Sequence, residues 1–89
     1  MTHDNELDQK KELLGQVIRD VENTFFTERR WGVYKEIVGA VEKSVIETAL
    51  ERSLGNQIKA AKMLGINRNT LRTKVKRLGI QISAWKMES

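Results

Sequence analysis

The sequence of 89 residues contains no cysteine, no proline and a single histidine. Without cysteine the chain cannot build a disulfide framework, and one histidine leaves no evident metal site. No stretch approaches the roughly 20 apolar residues that a membrane-spanning helix requires. The acidic, polar N-terminus also lacks the features of a signal peptide. These absences predict a cytosolic protein with no metal and no membrane partner.

The residues present offer no catalytic centre either. A nucleophile paired with a base, two carboxylates in a cleft, a phosphate-binding loop and a metal cluster are all missing from the pattern. We therefore expect no enzyme, no cofactor and no small-molecule substrate. A chain of this length forms one small domain and buries only about 60% of its unfolded surface. A second chain is the expected source of further stability.

The charge is distributed unevenly along the chain. Residues 1–55 hold eight Lys or Arg and eleven Asp or Glu, a net charge of −3, whereas residues 56–89 hold eight Lys or Arg and one Glu, a net charge of +7. The formal net charge of +4 conceals this difference. A polarised chain of this kind is typical of a basic face that binds a polyanion.

Apolar periodicity predicts two long helices in the N-terminal half. Spacings of i, i+3, i+4 and i+7 begin near Glu12 and predict a helix to about Phe26 or Thr27, after a flexible tail over 1–11. A second helix is expected over 33–54. Trp31, between the two helices, is expected to cover the edge of the core, although a partner surface is the alternative.

The apolar stripe of the second long helix is wider than one small neighbouring helix can cover. A second subunit is the natural partner for this stripe, and residues 12–54 are therefore expected to form a dimer core. The expected homodimer interface consists of Val17, Val21, Phe25, Tyr34, Ile37, Val38, Val41 and Val45.

Two short helices joined by a tight turn are expected within residues 55–80. Asn56 and Asn67 stand where an N-cap side chain accepts hydrogen bonds from free backbone N–H groups. Gly55, Gly65 and Gly79 each follow a helical run, where a left-handed residue ends a helix. The predicted helices cover 57–64 and 68–78, with buried faces formed by Ile58, Ala61 and Leu64 and by Leu71, Val75 and Leu78. This arrangement is a helix-turn-helix.

The second of these helices has a polar face of one sign. It carries five Lys or Arg and no acid, whereas a solvated helix usually mixes signs to form i,i+4 pairs. A helix in the major groove of DNA has phosphates on both sides and needs polar side chains near its N-terminus. The pattern therefore favours double-stranded DNA as the partner.

The run GNQIKAAKMLGINRNTLRTKVKRLGI, residues 55–80, resembles the C-terminal helix-turn-helix of the Fis family. The DNA-binding domains of NtrC-type enhancer-binding activators share this element. The resemblance extends more weakly back to about Glu12. It implies an all-α, four-helix domain in which two long helices form a dimer core ahead of the helix-turn-helix, with residues 81–89 as a C-terminal tail outside the family pattern.

The resemblance also implies roles for single residues. Asn67 and Arg68 would contact bases, with Arg68 bidentate to guanine and Asn67 divided between capping and base contact. The expected contacts to the DNA backbone come from Asn56, Thr70, Arg72, Thr73, Lys74, Lys76 and Arg77. Thr73 stands where the family commonly has lysine, and Ile58 where it has threonine. The family further implies DNA bending, a homodimer and a place on the bacterial nucleoid.

Two versions of this function are open. The first is a Fis-like protein that binds and bends DNA as a homodimer and adjusts transcription. The second is the DNA-binding domain of an NtrC-type activator, whose partners would be the ATPase and receiver domains of its parent. RNA binding is disfavoured because the basic helix has no aromatic residue for base stacking. A pure dimerisation module would leave the basic helix unexplained.

Overall fold

The computed structural model describes residues 3–28 and 31–85, and at His3 and Asp4 it describes the backbone alone. The regular elements of this part are α1 (His3–Glu28), α2 (Val33–Arg52), α3 (Gln57–Leu64), α4 (Arg68–Leu78) and a 3₁₀ turn (Ile82–Ala84). The predicted all-α class with four helices is confirmed. The chain divides into two compact units, residues 1–37 and 38–89. The boundaries between tail, dimer core and helix-turn-helix stay a prediction.

Helix α1 begins at His3, nine residues before the predicted start near Glu12. Residues 5–14 consist mainly of strong helix formers, Glu, Leu, Gln and Lys, and contain neither glycine nor proline. Glu6 and Lys10 form an i,i+4 ion pair at 3.7 Å that adds a few tenths of a kcal/mol. The start was misplaced because apolar periodicity marks the packing face of a helix, not its first residue. The first two residues of the predicted tail lie outside the described part.

The second unit builds its own hydrophobic core from three helices. Leu50 of α2 and Leu71 of α4 are fully buried at its centre. Two alanines of α3, Ala60 and Ala61, are also buried, and their small side chains let the helix backbones approach closely. The buried cluster consists of Ile46, Ala49, Leu50, Ala60, Ala61, Leu71, Val75 and Ile80.

Two predictions about helix faces and ends in this unit are wrong. Ile58 was expected in the core but is half exposed, because the middle of the buried face, between Ala60 and Ala61, lies roughly a third of a turn away around α3. Helix α2 ends at Arg52, before the predicted Leu54. Leu54 instead adopts a left-handed conformation, with φ of 55°, and Gly55 follows at 82°. The Gly55 N–H then donates to the Leu50 carbonyl at 2.8 Å and ends the helix.

The segment after α4 packs against the second unit. Ile82 and Trp85 are partly buried and contact its core. Residues 86–89 of the predicted tail lie outside the described part. Trp31, by contrast, has 85% of its surface exposed, so the expectation that it covers a core edge is wrong. In the described residues no helix combines the length and the apolar character needed to cross a membrane.

Candidate nucleic-acid interface

The turn between α3 and α4 is held by hydrogen bonds on both sides. At the end of α3, Gly65 takes φ of 74°, its N–H donates to the Lys62 carbonyl at 3.2 Å, and the Ile66 N–H donates to the Ala61 carbonyl at 3.0 Å. This pair of hydrogen bonds is a Schellman C-cap. Gly79 ends α4 with the same geometry. The predicted glycine caps at both positions are confirmed.

Both predicted asparagine N-caps are present. The Asn56 side-chain oxygen accepts from the Lys59 N–H at 3.0 Å. The Asn67 side-chain oxygen accepts from the Asn69 N–H at 2.7 Å. Each cap satisfies a backbone donor that the first helical turn leaves without a partner. The caps therefore fix where α4 begins and which side chains occupy its first turn.

Helix α4 divides into a buried face and an outward face. Leu71 and Val75 are buried and Leu78 is partly buried, a spacing of i, i+4 and i+7. The opposite side of the helix carries Asn69, Thr73 and Lys76 at the same spacing, and all three are exposed. The outward face is thus polar along its length. A ligand that lies along α4 meets hydrogen-bonding groups before it meets apolar ones.

Three cations of α4 are exposed and have no acidic partner among the described residues. They are Arg68, Arg72 and Lys76, spaced four residues apart, and we call them the free cations. Arg68 occupies the first helical position, directly after the Asn67 cap. Helix α4 contains no acid of its own. The free cations therefore give one side of this helix a positive potential that no acid in the described part of the chain neutralises.

The other two cations of α4 are held by an acid on α2. The Lys74 ammonium lies 2.5 Å from one carboxylate oxygen of Glu42, and the Arg77 guanidinium lies 3.0 Å from the other. We call Lys74 and Arg77 the paired cations. Hydrogen bonds from Lys74 first and Arg77 second lower the pKa of the Glu42 carboxyl from its ordinary value. Both cations thus favour the ionised form of Glu42.

The polar site residues are also partly engaged within the protein. The Thr73 hydroxyl donates to the Asn69 carbonyl at 3.0 Å, so its proton is already in use. The Asn56 N–H donates to the Ser53 carbonyl at 3.1 Å, which leaves the side-chain amide group of Asn56 as its available donor. Thr70 is exposed in the first turn of α4.

The structure thus brings most of the predicted site residues onto one short helix. Asn67, Arg68, Thr70, Arg72 and Lys76 lie at its exposed surface. Sequence reasoning missed two participants. Asn69 was given no role, although its spacing from the buried leucine and valine of α4 could have placed it on the outward face. Glu42 was likewise given no role, and no local pattern signals its contact with residues 32 and 35 positions away.

The predicted dimer residues differ in exposure. Val17, Tyr34, Val41 and Val45 are exposed, with Tyr34 at 79%. The remaining four, Val21, Phe25, Ile37 and Val38, are half-buried. Val41 and Val45 line an open apolar groove of about 240 Å³ in the second unit, together with Leu64 and Ile66. Within the part of the chain that the structure describes, no group of three or more His, Cys, Asp or Glu is placed to hold a metal ion.

Comparison with known families finds a match over part of the chain. Residues 37–78 match the family described as "Bacterial regulatory protein, Fis family". This range covers the end of the first unit, the rest of α2, and both α3 and α4. The predicted resemblance is confirmed over these residues.

Similar curated proteins carry the name "DNA-binding transcriptional regulator NtrC". The protein of Azospirillum brasilense is 49% identical over 51 residues, which are 57% of this chain and 11% of the relative. Those of Rhizobium meliloti (strain 1021) and Bradyrhizobium sp. (strain RP501 Parasponia) are each 47% identical over 51 residues, 57% of this chain and 10% and 11% of the relatives. The chain therefore spans about a tenth of the length of these relatives. No solved structure matches it.

Proposed function

We propose that this chain, whose residues 37–78 form a helix-turn-helix domain of the Fis family, binds double-stranded DNA as a homodimer in transcription regulation. The observation that carries the proposal is the exposed positive charge of the three free cations of α4, Arg68, Arg72 and Lys76, which no acid among the described residues neutralises. Such a helix fits the major groove, where phosphates flank it on both sides. The names of the relatives as DNA-binding transcriptional regulators support the same function. Binding of this kind places the protein in the bacterial cytoplasm, on the nucleoid.

Base recognition in this proposal comes from the first turn of α4. Arg68 is exposed and has no acidic partner within residues 3–28 and 31–85, so its guanidinium can donate two hydrogen bonds to O6 and N7 of guanine. Asn67 contributes less, because its side-chain oxygen is held by the cap at 2.7 Å. Asn69 joins them from the outward face, where an asparagine amide can pair with adenine.

The DNA backbone is contacted on either flank of this turn. Arg72 and Lys76 supply charge, and Thr70 supplies a hydroxyl. At the start of α3 the side-chain amide of Asn56 donates to a phosphate, where the helix dipole also favours an anion. Contacts of this type fix the register of the protein on DNA but carry no sequence information.

The exposed apolar side chains support the proposed homodimer. Val41 and Val45 are 45% and 48% exposed beside an apolar groove, and Val17 and Tyr34 are more exposed still. A second copy that covered these residues would remove them from water and gain about 25 cal/mol for each Å² of apolar surface buried. The predicted interface of Val17, Val21, Phe25, Tyr34, Ile37, Val38, Val41 and Val45 remains our proposal for the dimer.

DNA bending depends on the spacing of the two α4 helices in this dimer. Straight DNA repeats every 34–36 Å or so, and a dimer whose helices are closer forces the duplex to bend. The preference among sites would then include the flexibility of the steps between the half-sites.

A second version of the function is favoured by the relatives. They are named NtrC, and this chain matches about a tenth of their length. In that case the chain acts as the DNA-binding domain of an activator and positions ATPase and receiver domains of a parent protein. Both versions use the same helix on DNA. They differ in bending and in affinity for random sequence.

The test is a titration of the purified chain onto random and partly palindromic duplexes at two salt concentrations. We expect Arg68→Ala to lose about 1–3 kcal/mol of discrimination at one position in each half-site. The matched control, Lys76→Ala, should weaken all sequences alike and reduce the salt slope by about one. An unchanged base preference in the Arg68 variant would refute the proposed groove contact.

Bending is measured on the same complexes by placing the site centrally or terminally in a longer duplex. A mobility that depends on position supports a Fis-like protein that bends DNA. Binding to one palindrome without such dependence supports the activator domain. A chain that binds no duplex DNA at either salt concentration would overturn both versions.

A further inference from the structure

Glu42 forms ion pairs with two cations of α4 at once. Each of its oxygens takes a different partner, Lys74 on one and Arg77 on the other. The three side chains keep 26%, 29% and 51% of their surfaces exposed for Glu42, Lys74 and Arg77. The contact joins α2 to α4 within the second unit. It sits on the helix that the proposed function uses for DNA.

This contact separates the five cations of α4 into two sets. The paired cations, Lys74 and Arg77, lie on the flank of α4 that approaches α2, and the free cations Arg68, Arg72 and Lys76 lie elsewhere on the helix surface. The sequence shows five positive charges on α4, and three of them have no acidic partner among the residues that the structure describes. The paired cations must leave Glu42, or share it, before they can neutralise a phosphate.

The salt dependence of DNA binding reports how many phosphates a protein neutralises. Each phosphate neutralised releases counterions and adds about 0.9 to the slope of log K against log salt. A cation that stays on Glu42 replaces no counterion. The two sets of cations are thus distinguishable in solution by this slope.

We infer that Glu42 is a positioning residue that keeps Lys74 and Arg77 from DNA phosphates, and so limits sequence-independent affinity. The inference rests on the proposed function, since it concerns the helix proposed to bind DNA. Non-specific binding is almost entirely electrostatic, whereas specific binding also draws on base contacts. Keeping two cations away from the phosphates therefore lowers non-specific affinity more than specific affinity. Glu42 thereby raises the ratio of specific to non-specific affinity.

Two other roles for Glu42 give different results. If Glu42 aimed the paired cations at phosphates, its removal would weaken binding and make the slope shallower. If it only tied α2 to α4, its removal would lower the melting temperature and leave the slope unchanged. The change in slope on removing Glu42 therefore separates the three roles: the slope becomes steeper, becomes shallower or stays unchanged.

The first experiment compares Glu42→Gln with Glu47→Gln on a random-sequence duplex between 50 and 200 mM salt. Glu47 is a matched control because it lies on α2, is also half-buried and has no ion pair with α4. Releasing two cations should steepen the slope for Glu42→Gln by about 1.8, roughly a further 12-fold loss of affinity across this salt range. Affinity for random DNA at 50 mM salt should rise. The Glu47 variant should keep the slope of the unaltered chain.

The second experiment removes Lys74 in two backgrounds. Lys74→Gln should leave the slope unchanged in the natural chain, and should reduce it by about 0.9 when Glu42→Gln is also present. The single variant keeps the test valid even if Glu42→Gln disturbs folding. Glu42→Asp, which retains the charge, should restore the natural slope. Circular dichroism of each variant checks that the helices remain intact.

The outcomes separate this inference from the proposed function. Equal slopes for Glu42→Gln and Glu47→Gln, or a drop of about 0.9 for Lys74→Gln in the natural chain, would overturn the role of Glu42 while DNA binding stands. Absence of duplex binding by the natural chain would overturn the proposed function and this inference with it.

Discussion

The two units of the chain treat their apolar residues differently. Residues 38–85 bury a cluster of eight residues around Leu50 and Leu71. In the described part of residues 3–37, Val33 is the one buried hydrophobic residue, and several large apolar side chains are exposed. Those exposed by half or more are Leu7, Leu13, Leu14, Val17, Phe26, Trp31 and Tyr34.

This difference shows that a sequence can favour helices without burying their apolar faces within the single chain. Both units have strongly helical sequences, but among the described residues it is the second unit that brings three helices around one core. An amphipathic helix gains most of its stability from the surface that its apolar face buries. The first unit exposes that face in the single chain, which is why we propose a second copy as its partner.

The largest expected effect is loss of the second unit's core. Leu71→Ala removes a side chain with no exposed surface and should lower the free energy of unfolding by about 2–5 kcal/mol. Leu13→Ala is the control, because Leu13 is 61% exposed and lies outside the proposed dimer interface. It should change stability by less than about 0.5 kcal/mol. Urea unfolding measures both, and equal losses would contradict the contrast between the units.

A smaller effect is expected from charging the proposed dimer interface. Val41→Asp would place a carboxylate against the partner and should weaken dimerisation by about 2–3 kcal/mol, or roughly 30- to 150-fold. Thr48→Asp, which adds the same charge at an exposed site of α2 outside the proposed interface, should have little effect. Analytical ultracentrifugation over a dilution series measures the association. A natural chain that stays a folded monomer at all concentrations would remove the basis for an obligate dimer.

The smallest expected effect concerns the backbone after α2. Leu54 has φ of 55°, a conformation that costs an ordinary residue about 1–2 kcal/mol. Its side chain is 56% exposed, so replacement forfeits little packing. Leu54→Asn should therefore raise the free energy of unfolding by up to about 1 kcal/mol, because asparagine tolerates this region better. Leu54→Val should lower it, since a β-branched residue tolerates it worse. If thermal unfolding ranks the two variants in the reverse order, backbone strain at Leu54 is not a significant cost.

The sequence predictions were accurate where the interactions join residues close together in the chain, and less accurate where they join distant residues. The bounds of α3 and α4 were predicted because Asn56, Asn67, Gly65 and Gly79 act on backbone groups within a few residues. The start of α1 was missed because helix formers without an amphipathic pattern gave no periodic signal. Ile58 was misplaced because apolar character alone does not say which residues of a short helix meet its neighbours.

The sequence by itself determined the helix-turn-helix, its caps and the excess of positive charge on α4, since these depend on residue type and short spacing. The tertiary structure decided which of those charges are uncompensated. In the sequence Lys74 and Arg77 cannot be distinguished from Arg72 and Lys76. In the structure Lys74 and Arg77 are the two that bind Glu42. That contact joins residues more than 30 positions apart, and it forms in a fold where α2 and α4 contribute Leu50 and Leu71 to the same buried cluster. Charge is a property of the residue, whereas its neutralisation is a property of the fold.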